Sequence, residues 1–224
     1  MKVVITGATG MIGKGVLLEC LEDAGIEAVL LVNRNPIGMT HAKLKEVLLK
    51  DFLNPDTISN ELRGYDAAFF CLGVSAGGMK EEDYHRITYD YTLNFARVFL
   101  RQNPGSQFVY VSGTGTDSSE KGRMMWARVK GRTENDLLKM PFKKAFMFRP
   151  GAIRPLRGIK SRTPLYQRIY TIMNPLWPVL EWMMGDNLTD TTRIARAMIH
   201  AVTLGSDKTH LENKEINQLA AAGI

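Results

Sequence analysis

Apolar residues along most of the chain alternate between short continuous runs and longer amphipathic stretches. The first run, KVVIT, ends at a glycine, and the apolar positions of 11–24 then fall on one face of a helix. Further short apolar runs predict strands at 28–32, 44–49, 67–71, 107–111 and 145–148. Between them, amphipathic stretches predict helices over about 81–102 and 124–139.

This order of elements predicts an α/β fold. Buried strands separated by helices are typical of a parallel sheet covered on both faces, and right-handed crossovers make it a doubly wound sheet of Rossmann type. After Arg149-Pro150-Gly151 the alternation stops, and a basic, proline-containing stretch precedes a helix over 190–204. We therefore predict a single domain with an NAD(P)-binding half at 1–150 and a small helical cap on the substrate side at 151–224.

Composition favours a cytoplasmic protein without a metal. The chain has 224 residues, of which 45% are hydrophobic and 23% charged, values usual for a globular protein. Its two cysteines, Cys20 and Cys71, fall in predicted core elements without metal-ligand spacing, which predicts a reducing compartment and no metal site. Charged residues and prolines interrupt the longest apolar candidate, around 164–184, so we predict no membrane span.

The charge balance predicts an anionic ligand and no nucleic acid. The net charge is +6, but basic and acidic residues alternate over most of the chain. One segment is basic only. It is either a solvated loop or a mouth that receives a phosphate or an acidic substrate. Its cations are Arg149, Arg154, Arg157, Lys160, Arg162 and Arg168.

A glycine-rich loop gives the most specific signal for a ligand. TGATGMIG places Gly7, Gly10 and Gly13 between the first strand and the first helix. The first glycine permits a tight turn, the second lets the backbone approach a diphosphate, and the third lets helix and strand pack closely. The helix N-terminus adds unpaired N–H groups and a positive dipole. This context predicts a dinucleotide site.

The end of the second strand favours NADP(H) over NAD(H). A site selective for NAD usually has an acid there to hold the ribose 2′-hydroxyl. Here the strand leads into Asn33 and Arg34, and a guanidinium can pair with a 2′-phosphate through charge-assisted hydrogen bonds. The alternative is that Arg34 is a solvated turn residue.

Six motifs in a fixed order resemble those of the atypical short-chain dehydrogenases/reductases, in particular the Tat-interacting oxidoreductase-like group near the NmrA-like proteins. They are TGATGMIG, DF at 51–52, CLG at 71–73, VSGTGTD at 111–117, VKG at 129–131 and FRPG at 148–151. The resemblance covers roughly 1–204 and implies a Rossmann fold that binds NADP(H).

The resemblance also implies which residues hold the cofactor. The diphosphate would be lined by the glycine loop, the adenosine ribose by the end of the second strand, and adenine by the DF pair. The turn after the fourth strand would border the second ribose, and Pro150 and Gly151 would back the nicotinamide. The implied residues are Gly7, Thr9, Gly10, Met11, Ile12 and Gly13, then Asn33 and Arg34, Asp51 and Phe52, and Leu72 and Gly73.

The implied catalytic set is incomplete. Active members of the resembled family use a Ser or Thr with a YxxxK pair, whose spacing puts phenol and ammonium on one helical face so that the lysine lowers the phenol's pKa. Lys130 matches the lysine and Ser112 or Thr114 the hydroxyl, but Trp126 stands at the tyrosine's place. An indole donates a hydrogen bond and has no acid–base range near neutral pH. Lys130 then holds the nicotinamide ribose, supports residual catalysis, or is a solvated helix residue.

Two functions remain open at this point. One is an NADP-dependent oxidoreductase acting on a small carbonyl or alcohol with an altered proton donor. A substitute donor would come from the tyrosines and histidine of EEDYHRITYDY, unless these residues only pack. The other is a catalytically reduced NADP(H)-binding sensor that acts through a protein partner.

The Met- and aromatic-rich segment 164–184 is open to several interpretations. It fits a lid over an apolar substrate, a surface for a partner or a homodimer, a membrane-interface segment, or ordinary core packing.

Overall fold

A parallel sheet of seven strands forms the centre of the molecule, in a computed structural model that describes residues 1–159, 177, 183 and 185–222. Its strands are β1 (Lys2–Thr6), β2 (Ala28–Asn33), β3 (Leu44–Leu48), β4 (Ala67–Phe70), β5 (Gln107–Val111), β6 (Lys144–Arg149) and β9 (His210–Glu212). Their order in space is β3-β2-β1-β4-β5-β6-β9, and every neighbouring pair is parallel. The first six strands follow the doubly wound order 3-2-1-4-5-6. The predicted fold class is confirmed.

Helices cover both faces of the sheet because successive strand residues point to opposite sides. The helices are α1 (Met11–Glu22), α2 (Glu81–His85), α3 (Tyr91–Gln102), α4 (Met125–Leu138), α5 (Thr191–Thr203) and α6 (Asn213–Ala221). On one face Val3 and Ile5 of β1 join a core with α1, α5 and α6. On the other face Val4 of β1 joins a core with α3 and α4.

The predicted strands of the first 150 residues agree with the structure to within one residue at either end. The predicted helix over 81–102 is interrupted by a π-helical turn at Arg86–Asp90, where the Tyr91 N–H donates to the carbonyl of Arg86. The hydrophobic pattern does not distinguish this turn from ordinary α-helix, because a single wider turn displaces the apolar face by only one residue.

The prediction that the strand–helix alternation stops after Gly151 is wrong. Strands β7 (Ala152–Arg154) and β8 (Leu188–Asp190) form a separate two-stranded parallel sheet, and α5, β9 and α6 then return to the main layers. Strand β9 has three residues, of which only Leu211 is fully buried, so it leaves no apolar run in the sequence. The segment 164–184, apart from Trp177 and Met183, lies outside the described residues.

Candidate functional site

Close backbone contacts explain the first and third glycines of the loop. Gly7 has φ +72°, and a Cβ there would lie 2.6 Å from the backbone of Cys71 and Leu72. A Cβ on Gly13 would lie 2.3 Å from the carbonyl oxygen of Gly7. No side chain fits at either place, so the glycines allow β1, β4 and α1 to meet at one point.

The N-terminus of α1 is suited to an anion. Gly10 is its N-cap and contributes no side chain to the cap, and no acidic residue stands in the first turn. The N–H groups and the positive end of the helix dipole are therefore not neutralised by a carboxylate of the helix itself. The residues fit a diphosphate at this place.

A cavity of about 100 Å³ brings together the glycine loop, the end of β2 and the turn after β4. A neighbouring cavity of about 490 Å³ shares Thr9 and Gly10 with it and adds Lys14 of α1 and Arg157. Sequence reasoning missed Lys14, although its place directly after the third glycine was a usable signal. The predicted cofactor residues in the smaller cavity are Gly7, Thr9, Gly10, Asn33, Arg34, Leu72 and Gly73.

The turn after β2 is held by a carboxylate and presents a cation. The buried Asn33 donates from Nδ2 to Oε1 of Glu46 at 3.1 Å, and the Ile37 N–H donates to the same oxygen at 3.2 Å. Glu46 is thus engaged in fixing the turn. Arg34 is exposed and lines the smaller cavity, and its carbonyl accepts a hydrogen bond from Lys50 Nζ at 2.8 Å. Lys50 was not identified from the sequence.

The DF pair does not line either cavity. The ring of Phe52 is fully buried in the core and stacks on Tyr91 at 5.9 Å between centroids. Asp51 is exposed and accepts hydrogen bonds from the Leu53 N–H at 2.9 Å and from Asn54 Nδ2 at 2.7 Å. The Phe52 ring is therefore a core element, and only its backbone is left to border an adenine. Met11 and Ile12 are partly buried against the core.

Trp126 and Lys130 stand one helical turn apart on α4, against the loop that follows β5. If Gly115 carried a Cβ, this atom would lie 3.4 Å from the Trp126 ring. A Cβ on Gly113 would lie 3.9 Å from Lys130 Nζ. Lys130 also donates to the carbonyl of Ser112. Burial lowers the pKa of Lys130 to about 8, and the carboxylate of Glu134 opposes this shift.

The two candidate hydroxyls have different surroundings. Ser112 is buried, and its Oγ donates to Glu134. Thr114 is exposed, with Oγ1 2.9 Å from the carbonyl of Arg149 and 3.0 Å from Oε2 of Glu212. Of these two hydroxyls, that of Thr114 therefore belongs to an exposed residue, while that of Ser112 faces the interior.

The tyrosines after β4 are used in packing. Tyr84 is buried, and burial raises the pKa of its phenol. Tyr89 donates to Oδ2 of Asp136 at 2.6 Å, and the His85 ring lies 4.6 Å from that of Tyr89. These contacts favour the packing interpretation over a substitute proton donor.

The described arginines of the basic segment contact other side chains of the protein. Neither the solvated loop nor the site for a phosphate or acidic substrate, the two predicted interpretations, included these contacts. Arg149 binds Glu134 of α4, and Arg157 binds Glu19 and Glu22 of α1. Arg154 lies over the Trp177 ring at 5.6 Å. The acids lie on other elements, α4 and α1, so the pairing depends on tertiary structure and was not predicted. Lys160, Arg162 and Arg168 lie outside the described residues.

Within the described ranges, no group of three or more His, Cys, Asp or Glu side chains is placed to hold a metal ion. In the same ranges, no helix has the length and apolar character needed to cross a membrane.

The sheet order, the glycine contacts and the uncapped helix together define a dinucleotide-binding protein of Rossmann type. The family model described as NAD(P)H-binding matches residues 7–138, and the chain belongs to this family.

Two curated relatives support the resemblance to the atypical short-chain dehydrogenases/reductases. Protein FMP52, mitochondrial, of Debaryomyces hansenii is 29% identical over 158 residues, which cover 68% of this chain and 67% of that protein. Protein HTATIP2 of Rattus norvegicus is 28% identical over 153 residues, covering 67% of this chain and 62% of the rat protein, less than two thirds of its length. The predicted family is confirmed. Because FMP52 carries a mitochondrial name, the cytoplasmic location stays a prediction.

Solved structures show the same fold at low sequence identity. The Bordetella bronchiseptica enzyme WbmF in complex with NAD+ matches with a TM-score of 0.68 and 15% identity, over 98% of this chain and 76% of that one. A UDP-N-acetylglucosamine 4-epimerase from Methanobrevibacter ruminantium matches with a TM-score of 0.69 and 15% identity, over 94% of this chain and 75% of that one.

Proposed function

We propose that this chain binds NADP(H) in preference to NAD(H) and acts as an oxidoreductase on a small carbonyl or alcohol. The observation that carries the cofactor preference is the turn after β2. There Arg34 is exposed beside the cavity, Lys50 lies next to its carbonyl, and the Glu46 carboxylate is already bound by Asn33 and Ile37. A 2′-phosphate would meet cations at this place, whereas a 2′-hydroxyl would find no free carboxylate from Glu46.

Each of the other site residues would contact a different part of the cofactor. The glycine loop and the N-terminus of α1 would bind the diphosphate, Leu72 and Gly73 would border the second ribose, and Lys130 would hold its hydroxyls. Pro150 and Gly151 would back the nicotinamide, which supplies a hydride donor or acceptor when bound. Thr114 would present its hydroxyl to the substrate oxygen.

Proton transfer is where this site departs from the YxxxK arrangement. Trp126 has no proton to exchange near neutral pH. Lys130, with its pKa lowered to about 8, is a group that titrates in the useful range. We therefore propose turnover that is slow and draws its proton from Lys130 or water.

The packing of Trp126 also supports a second function. Its ring lies against Gly115, and it stands at the chain position where the resembled family has the phenol. A protein that keeps the cofactor site and lacks the phenol is suited to sense NADP(H) and to pass its state to a protein partner. Rapid oxidation of NADPH by the wild type with any aldehyde or ketone would contradict this sensor function.

Calorimetric titration with NADPH and NADH tests the cofactor preference. We expect Arg34→Ala to weaken NADPH binding by about 10- to 100-fold, since a hydrogen bond to a charged group contributes about 1.5–3 kcal/mol and each 1.4 kcal/mol is tenfold. NADH binding should change by less than about twofold, because NADH lacks the phosphate that Arg34 would pair with.

The matched control is Arg63→Ala. Arg63 is an exposed arginine just before β4, at the amino ends of the strands and so on the side of the sheet opposite Arg34. It should leave both affinities unchanged. Equal affinities of the wild type for NADPH and NADH would contradict the assignment of Arg34 to a 2′-phosphate.

A further inference from the structure

A single buried carboxylate joins two loops at the carboxyl edge of the sheet. Glu134 of α4 has an exposed fraction of 0%. It accepts a hydrogen bond from Ser112 Oγ, directly after β5, and its Oε1 and Oε2 share the single Nε–H of Arg149 at the end of β6, at 3.0 and 3.2 Å. A further contact from Nη2 of Arg149 completes the fork.

Burying the Glu134 carboxylate costs free energy, so its partners must stay in place to offset that cost. An isolated carboxylate taken out of water loses its hydration, and an ion pair with hydrogen bonds is needed to offset that loss. A forked guanidinium gives the strongest and most directional of these contacts. Removing one partner would leave a buried charge, so Ser112 and Arg149 are held in fixed places relative to α4.

Both partners lead directly into the segments proposed to surround the nicotinamide. Ser112 begins the loop to Gly115, and Arg149 precedes Pro150 and Gly151. Backbone hydrogen bonds connect the two segments. The Ser112 N–H donates to the carbonyl of Phe148 at 2.8 Å, and the Thr114 N–H donates to the carbonyl of Pro150 at 3.1 Å. Lys130, one turn before Glu134, donates to the carbonyl of the same Ser112.

We propose that Glu134 is a positioning residue for the nicotinamide half of the cofactor. It fixes Ser112 and Arg149, and through them it keeps Lys130, Thr114 and Gly151 in the geometry that receives the nicotinamide ribose. Glu134 itself is fully buried, so it would act through these residues. The proposal rests on the proposed function, because it presupposes that the cofactor binds with its nicotinamide at this edge.

Glu134 also influences the charge state of Lys130. Its carboxylate favours the ammonium form and so opposes the effect of burial on the pKa of Lys130. Nε2 of His210 lies 3.6 Å from Oε2 of Glu134, and this buried nitrogen has no hydrogen-bond partner in the described part of the chain. The titratable and charged groups that face Glu134 are Lys130 on α4, Tyr110 on β5, Arg149 on β6, and His210 on β9, with Glu212 beyond Arg149.

Glu134→Gln, tested with two probes, separates positioning from general damage. The probes are NADPH and adenosine 2′,5′-bisphosphate, which contains the 2′-phosphate but no nicotinamide ribose. We expect the variant to bind NADPH about tenfold more weakly, the loss of about 1.4 kcal/mol, and to bind the bisphosphate like the wild type. The pH at which NADPH binding declines on the alkaline side should move to lower pH, because the ammonium of Lys130 loses its neighbouring carboxylate.

The control is Asp136→Asn on the same helix, where the carboxylate binds Tyr89 and Lys139 instead of Ser112 and Arg149. It should change neither the NADPH affinity nor its pH profile. Unchanged NADPH binding and an unchanged pH profile in Glu134→Gln would overturn the proposal, as would an equal loss of both probes.

If Glu134→Gln does not fold, Ser112→Ala removes one arm of the network and leaves the ion pair with Arg149. It should then show a smaller loss of NADPH binding with the bisphosphate unaffected, and no such selectivity would overturn the proposal. Failure of the wild type to bind NADPH at all would instead contradict the proposed function.

Discussion

Lys130 and Trp126 occupy neighbouring places on one face of α4, but they differ in what they contribute to chemistry. The lysine is buried enough to lower its pKa to about 8, so that it can exchange a proton near neutral pH. The indole can fill space and donate one hydrogen bond. At this scale the site has the lysine that we propose to hold a ribose, and an indole at the position where the resembled family has the proton-transferring phenol.

Trp126→Tyr should raise carbonyl reduction. A phenol is smaller than an indole, so it fits the space against Gly115, and Lys130 one turn away would lower the phenol's pKa. We expect the NADPH-dependent rate with a panel of aldehydes and quinones to rise about 100-fold, the lower end of the range for general acid catalysis.

Trp126→Phe is the matched variant, since it makes the same space without a hydroxyl. Equal rates in the Tyr and Phe variants would show that proton donation does not limit this site.

Sequence reasoning identified Lys130 but not the buried residue one turn after it. The spacing of Lys130 and Glu134 puts both on one helical face, yet a glutamate in an amphipathic helix is usually a solvated residue. Only the approach of Arg149 from β6 and Ser112 from β5 makes its burial possible. Such pairing depends on tertiary structure, and for the same reason the acids that bind Arg157 were not foreseen.

At the scale of elements, the loop after β5 is fixed by its contact with α4. The Asp117 N–H donates to the carbonyl of Ala127 at 3.1 Å, and the Asp117 carboxylate accepts hydrogen bonds from Ser119 and Gly122. The loop passes so close to the helix that a Cβ on Gly131 would lie 1.8 Å from the carbonyl oxygen of Asp117. This contact leaves no room for a side chain and so explains the glycine of the VKG motif.

Gly131→Ala should destabilise the protein and disturb the site. Alanine in place of glycine would stabilise an isolated helix by about 1 kcal/mol, but overpacking costs about 1–3 kcal/mol and more when the obstacle is backbone. We expect a net loss of stability in urea unfolding together with weaker NADPH binding, because the loop that carries Thr114 must move. Gly77→Ala, where a Cβ would meet only Ser75 Oγ at 3.7 Å, is the control. A variant as stable as the wild type would contradict the contact.

Most helices and strands were predictable from the sequence, because the periodicity of apolar residues along a helix or strand is visible without knowledge of the tertiary structure. The exceptions are short or locally irregular. The π-helical turn at Arg86–Asp90 has the composition of an ordinary helix, and β9 is too short for a period of two to be visible. The glycine loop was recognisable as a motif because its glycines follow one another in the sequence, although the contact that requires Gly7 is made with the backbone of Cys71 and Leu72 after β4.

At the scale of the whole molecule, the C-terminal elements complete the fold of the cofactor half. Helix α5 packs on α1 so closely that a Cβ on Gly15 would lie 2.9 Å from the carbonyl oxygen of Thr191. Strand β9 pairs with β6, and Leu211 and Ile216 belong to the same core as Val3 and Ile5. These contacts predict that residues 191–222 unfold together with the first half and not as a separate cap.

Ile216→Ala tests this cooperativity. The side chain has an exposed fraction of 0%, and removing it should lower the free energy of unfolding by about 2–5 kcal/mol. Unfolding followed by circular dichroism and by NADPH binding should shift to lower urea by the same amount, since one transition governs both probes. Leu204→Ala, at a position with 61% exposure, should shift neither curve. If NADPH binding kept the wild-type midpoint while the helical signal shifted, the C-terminal elements would be an independent unit, and the sheet from β1 to β6 would not need α6 for its stability.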